Sequence, residues 1–175
     1  MNITSLSTSL LSLIIFSFGA TSCAQTAKQQ KDLPGSTNIE LVFDGKTIDK
    51  SEEEWKSILD EFQFYVMREQ GTERAFSGPL NDNKKDGIYT CSACGLPLFD
   101  SETKFDSGTG WPSFYQPIDP KNVGEDTDYD IGYARTEVHC ARCDGHLGHV
   151  FNDGIGQPTG LRYCINSVSL NFEER

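Results

Sequence analysis

Two Cys-x-x-Cys doublets constrain this chain more than anything else in it: "CSAC" at Cys91 and Cys94, followed by Gly95, and "CARC" at Cys140 and Cys143, followed by Asp144 and Gly145. A tight turn points two thiolates at one centre, and two such knuckles complete a tetrahedral four-sulfur shell of the kind that holds Zn2+. The 45 residues between the doublets exceed the span of a compact zinc ribbon. The expectation is therefore two hairpins gathered by the fold around one structural zinc, with a long β insertion between them. A fully coordinated ion leaves no position for a substrate, so the site carries no chemistry. In an exported chain the same cysteines have disulfides as an alternative, but the repeated short spacing at two turn-like sites favours metal. A thioredoxin-like redox motif would need a helix opening at the doublet, and neither doublet has one behind it.

The rest of the domain reads as mainly β. Beyond Gly71, short apolar runs such as "GIYT", "PLF", "IGYART", "EVHC" and "YCINSVSL" alternate with Gly, Pro, Asn and Asp, the pattern of antiparallel strands joined by many turns. Ahead of them, "SEEEWKSILDEFQFYVMREQG" opens with a capping-box pair, Ser51 and Glu54, and sets Trp55, Ile58, Leu59, Phe62 and Val66 at helical spacing. That pattern predicts one amphipathic helix.

Nothing before Lys28 is charged, and "LLSLIIFSFGA" is an apolar run of export-signal length followed by small residues. Residues 1–23 are expected to be a signal peptide. Ala20, Thr21 and Ser22 before Cys23 resemble a lipobox, which would leave a lipid-anchored Cys23; cleavage at the neighbouring small residues would leave a soluble product. Residues 24–50 read as a polar tether and 51–173 as the domain, placed in the periplasm or cell envelope. Lys+Arg 15 against Asp+Glu 26 gives a net charge of −11, which disfavours nucleic acid as a partner.

Cys164 belongs to no doublet. In "LRYCINSVSL", strand alternation puts Arg162, Cys164, Asn166, Val168 and Leu170 on one face, and a cationic neighbour favours the nucleophilic thiolate. "DGHLGHVFNDG" supplies His146 and His149, which Gly145 and Gly148 allow to converge despite their spacing, and which suit proton transfer near neutral pH. His139, beside Cys140, reads as structural. "SGTGWPSF" brackets Trp111 with Gly110 and Pro112, a rigid aromatic turn that serves either as core plug or as one wall of an apolar pocket.

The blocks "GTERAFSG", "GIYTCSACGLPLFDSETKFDSGTGWPSF", "CARCDGHLGHVFNDG" and "PTGLRYCINSVSL", in this order from about Ser51 to Phe172, resemble the type B methionine sulfoxide reductases, which reduce the R epimer of methionine sulfoxide. The resemblance implies a β-tent of two antiparallel sheets with a short N-terminal helical part, and a structural zinc on Cys91, Cys94, Cys140 and Cys143. It implies Cys164 as nucleophile, oxidised to a sulfenic acid, and His149 as acid. His146 and Asn166 would complete the polar side that receives the sulfoxide oxygen, Trp111 would pack on the substrate methyl group, and Arg162 would aid the thiolate and orient substrate. Substrate would be oxidised protein or free methionine sulfoxide.

Many members of that family carry a resolving cysteine where this chain has Thr109. Without it, recycling is expected from an external thiol, a thioredoxin-like or other envelope reductant. A non-catalytic zinc-ribbon-like binding module is the rival reading. It would need the knuckles but not Cys164, His146, His149, Asn166 and Trp111 together.

Overall fold

A computed structural model describes residues 41–129 and 131–175. The expected signal peptide with Cys23, and the tether as far as residue 40, lie outside the described residues. Residues 41–50 form neither helix nor strand, yet they are anchored. Phe43 N–H donates to Asn122 Oδ1 at 2.8 Å, Asn122 Nδ2 donates to Leu41 O at 2.7 Å, and Ile48 N–H donates to Arg142 O at 2.7 Å. The domain's contacts thus begin upstream of Ser51. Among the described residues no helix is long and apolar enough to cross a membrane.

Where one helix is expected there are two, α1 (Glu52–Ile58) and α2 (Glu61–Arg68). Ser51 and Glu54 form the anticipated capping box, but Asp60 forms a second one with Gln63, and Leu59 is extended. Each cap stabilises its helix by about 1 kcal/mol, enough to decide a break in so short a segment. The break resets the helical phase. Trp55, Leu59 and Val66 are buried as expected, Phe64 and Met67 join them, and Ile58 and Phe62 stay exposed.

The remainder is β. Strands β1 (Gly87–Cys91), β2 (Pro97–Asp100), β3 (Lys104–Phe105), β4 (Ser113–Phe114), β5 (Val123–Asp128), β6 (Arg135–Cys140), β7 (His146–Phe151), β8 (Arg162–Ile165) and β9 (Leu170–Glu174) make two antiparallel sheets. One has the order β2-β1-β9 and the other β3-β4-β8-β7-β6-β5. Their shared core is aromatic: Phe99 stacks on Phe114 with centroids 4.4 Å apart, and Tyr89 meets Phe114 edge-on at 5.0 Å. The mainly β architecture matches the expectation. The alternation drawn through Arg162–Leu170 does not hold beyond Ile165. There the chain leaves the large sheet through a 3-10 turn, Ser167–Ser169, and enters the small sheet as β9. Val168 and Leu170 therefore share no strand face with Cys164.

Candidate active site and metal centre

Each knuckle is the turn of a hairpin. Cys91–Gly95 joins β1 to β2, closed by Gly95 N–H to Cys91 O at 2.8 Å; Cys140–Asp144 joins β6 to β7, closed by Asp144 N–H to Cys140 O at 2.8 Å. Gly95 and Asp144 both take left-handed backbone angles, φ 72 and 58, as such turns require. The hairpins come from different sheets, yet all four Sγ atoms lie within 4.8 Å of one another. Cys91 and Cys143 sulfurs are 3.7 Å apart and those of Cys94 and Cys140 are 3.5 Å apart. Sulfurs about 2.3 Å from a tetrahedral zinc would be about 3.8 Å from each other, whereas a disulfide needs about 2.05 Å. The four cysteines are free thiols whose spacing fits a metal ion.

The second constellation is built on β7 and β8. Register pairs His149 directly with Cys164, and Ser113 of β4 pairs with Cys164 from the other side. Gly148 is what lets the strands close: a Cβ there would sit 2.1 Å from Cys164 O. The β6–β7 ladder slips at Val138/His139, and the irregularity turns His146 and His149 toward each other, rings edge-to-face with centroids 5.4 Å apart. A cavity of about 120 Å³ opens over Cys164, lined by Thr72, Trp111, Arg135, His149, Phe151 and Asn166. A cavity of that size takes the end of a side chain.

Two of the expected polar residues stand outside this lining. His146 is buried behind His149, its Nδ1 2.6 Å from Glu137 Oε1. Arg162 makes a two-pronged pair with Asp153, Nε to Oδ1 at 2.8 Å and NH2 to Oδ2 at 2.9 Å, with its guanidinium over the Phe151 ring and still near enough to Cys164 to act on its thiol. Asn166 does line the cavity, but its amide also serves the backbone: Oδ1 accepts from Glu73 N–H at 3.0 Å and Nδ2 donates to Leu147 O at 3.0 Å. Trp111 is held by its indole, Nε1–H donating to Glu73 O at 3.1 Å. His139 covers Gly124 and faces Asp126 and Asp144, away from the cavity lining, in keeping with a structural role.

Asp128, Arg135 and Glu137 were invisible in the sequence reading. His149 Nε2 lies 2.7 Å from Asp128 Oδ2, and the same carboxylate is paired with Arg135. The electrostatics follow from burial. Desolvation pulls His149 below the ordinary imidazole value despite its bond to Asp128, and Arg135 and His146 push the same way. Desolvation also pushes the Cys164 thiol up, and the opposing pull of Arg162 and of the Thr109 hydroxyl does not overcome it. Arg162 acts in the thiolate-favouring direction, and burial outweighs it. Burial thus works against charge on both members of the Cys164–His149 pair.

Residues 59–174 match the family described as SelR domain. A peptide methionine sulfoxide reductase MsrB of Pseudomonas putida KT2440 is 58% identical over 130 residues, covering 74% of this chain and 98% of the relative. The MsrB of Methanosarcina barkeri Fusaro is 60% identical over 130 residues, covering 73% and 89%, and that of Pseudomonas entomophila L48 is 59% identical over 128 residues, covering 73% and 97%.

Proposed function

The chain belongs to the MsrB family of methionine sulfoxide reductases, the SelR-domain family, and from that premise we propose that Cys164 reduces the R epimer of methionine sulfoxide, within a polypeptide or free. The observation that carries this reading is the direct cross-strand pairing of Cys164 with His149 beneath a small cavity walled by Trp111 and Phe151. Directly opposed strand residues hold their Cβ atoms about 5 Å apart, close enough for the two side chains to serve one substrate, directly or through a water.

Because burial disfavours charge on Cys164 and on His149, proton transfer comes first. Substrate enters with its methyl group against Trp111. His149 takes the thiol proton, and the resulting thiolate attacks the sulfoxide sulfur. Protonated His149 returns the proton to the sulfoxide oxygen, a second proton comes from solvent and is given back in the hydrolysis that follows, the S–O bond breaks and water leaves, giving a sulfonium S–S adduct. Hydrolysis of the S–S adduct then releases methionine and leaves Cys164 as sulfenic acid, so one sulfur loses two electrons and the other gains them. Asn166 lines the oxygen side with the amide hydrogen not spent on Leu147, and His146 backs His149. Two external thiols reduce the sulfenic acid, releasing water and a disulfide.

Zn2+ on Cys91, Cys94, Cys140 and Cys143 supplies the covalent clip between the hairpins and no step of the reaction. Export through the 1–23 leader would place this repair activity in the cell envelope, with an envelope thiol carrier as reductant. Mass spectrometry of the mature N-terminus decides between lipidated Cys23 and a soluble product. The activity is tested by anaerobic turnover of separate R and S epimers with dithiothreitol beside Cys164→Ser. Turnover of R alone, lost in the variant, is expected; zinc-loaded folded protein that reduces neither epimer would favour the binding-module reading.

A further inference from the structure

Glu73 occupies a position that the reaction scheme leaves unused. It is a buried acid, 3% exposed, next to the cavity-lining Thr72. Its carboxylate accepts from the Ser167 and Val168 N–H groups at 2.7 and 3.1 Å, capping the turn that carries the chain from Cys164's strand into the other sheet. Its own N–H donates to Asn166 and its carbonyl accepts the Trp111 indole. The Trp111 main chain is already fixed, because β4 pairs with β8 and Ile165 N–H donates to Pro112 O at 2.9 Å. What β pairing leaves undetermined is the angle of the ring, and the indole bond to Glu73 sets it.

We propose that Glu73 is a positioning residue: its carboxylate anchors its main chain on the turn after Cys164, and that main chain holds the Trp111 ring at a fixed distance from the nucleophile. The proposal rests on the methionine sulfoxide reading above and names what sets its methyl-binding wall. A stability role fits poorly. Burial pushes the Glu73 carboxyl above its ordinary value in spite of the two amide bonds, so its ionised form costs the folded state at neutral pH. Proteins keep such costs at sites where geometry matters.

The test is a double-mutant cycle on the full zinc-loaded enzyme with Glu73→Gln and Trp111→Phe, the latter keeping a ring but removing the indole N–H. Each single change is expected to lower kcat/KM by about tenfold, mainly through KM, because a misset wall weakens ground state and transition state alike. The double variant should lie within about twofold of the worse single, since both remove one linkage. Additive effects, or Glu73→Gln kinetics within about twofold of wild type, would overturn the proposal. A wild type without R-epimer turnover would instead sink the underlying reading. If Glu73→Gln does not fold, hydrogen exchange of wild type decides: the Trp111 indole and the Ser167 and Val168 amides should share one opening, with protection within about threefold, and a wider spread refutes the clamp.

Discussion

Thr109 Oγ1 stands 4.0 Å from Cys164 Sγ, a long hydroxyl–sulfur hydrogen bond at a position where a second thiol would be within reach of a disulfide. The Thr109 hydroxyl is 2.8 Å from that of Ser107, which is 2.7 Å from Ser113 Oγ, so the Cys164 sulfur ends a row of hydroxyls and meets no second thiol there. Among the described residues the other cysteines are the four clustered at the knuckles, where they could hold a metal ion. In the absence of thiols the enzyme should therefore stop after one turnover with Cys164 as a dimedone-reactive sulfenic acid. Thr109→Cys should convert that product to a 109–164 disulfide and abolish dimedone labelling, because the gap closes to about 2.05 Å by side-chain rotation and a small turn shift. Dimedone-resistant wild type with a Cys23–Cys164 disulfide would refute external recycling.

Asp128 holds His149 from below while Arg135 neutralises it, and this arrangement fixes what Asp128→Asn should do. The carboxylate raises the His149 value against the lowering effect of burial, so its removal lowers that value further. The limb of the kcat/KM pH profile that belongs to His149 should move to lower pH, and the rate at neutral pH should fall by about tenfold to a hundredfold, the scale of positioned proton transfer. An unmoved limb would mean that His149 is not the titrating acid.

Legibility in the sequence followed locality. The knuckles could be read because each pair of ligands and its turn residues sit within five positions, and the hairpin reading carried over to the fold intact. Cys164 stood out locally only through Arg162 and Asn166 beside it, and the distant His146 and His149 and the family blocks were needed to make it more than a lone core cysteine. Asp128 and Arg135 escaped because "IGYART" reads only as a strand run and nothing marks Asp128 among its acidic neighbours; the fold alone brings Asp128 Oδ2 to His149. The influence of Arg162 on Cys164 was read with the right sign, but burial, which outweighs it, has no signature in a four-residue strand. The helix broke because Asp60 competes as a cap, a signal present in "LDEFQ" and masked by an apolar stripe that runs through it.

Cys164 should titrate as a buried thiol. Its rate of alkylation by iodoacetamide in the substrate-free enzyme should rise with a midpoint above the ordinary thiol range, since burial is the largest influence on it. Arg162→Gln removes a favourable charge and should move the midpoint higher still, so the variant is slower at every pH below it. A wild-type midpoint below neutral would show a preformed thiolate and remove the need for His149 as its base.

Metal loss should be a structural event before it is a catalytic one. The two knuckles are the points where the β1–β2 and β6–β7 hairpins of different sheets meet, and α2 rests on one of them through Arg68 NH1 to Cys143 O at 2.8 Å. A four-cysteine zinc contributes on the order of 10 kcal/mol to folding, as much as the whole stability of an ordinary domain. Cys94 is only partly buried and gives a chelator its way in. Chelation, or Cys140→Ser, should therefore abolish the cooperative thermal transition, and Cys164 alkylation should accelerate at neutral pH because the burial that suppresses its thiolate is lost. Metal-free protein that melts cooperatively at the holo temperature would show that β pairing alone aligns the sheets and that the four sulfurs hold no structural ion.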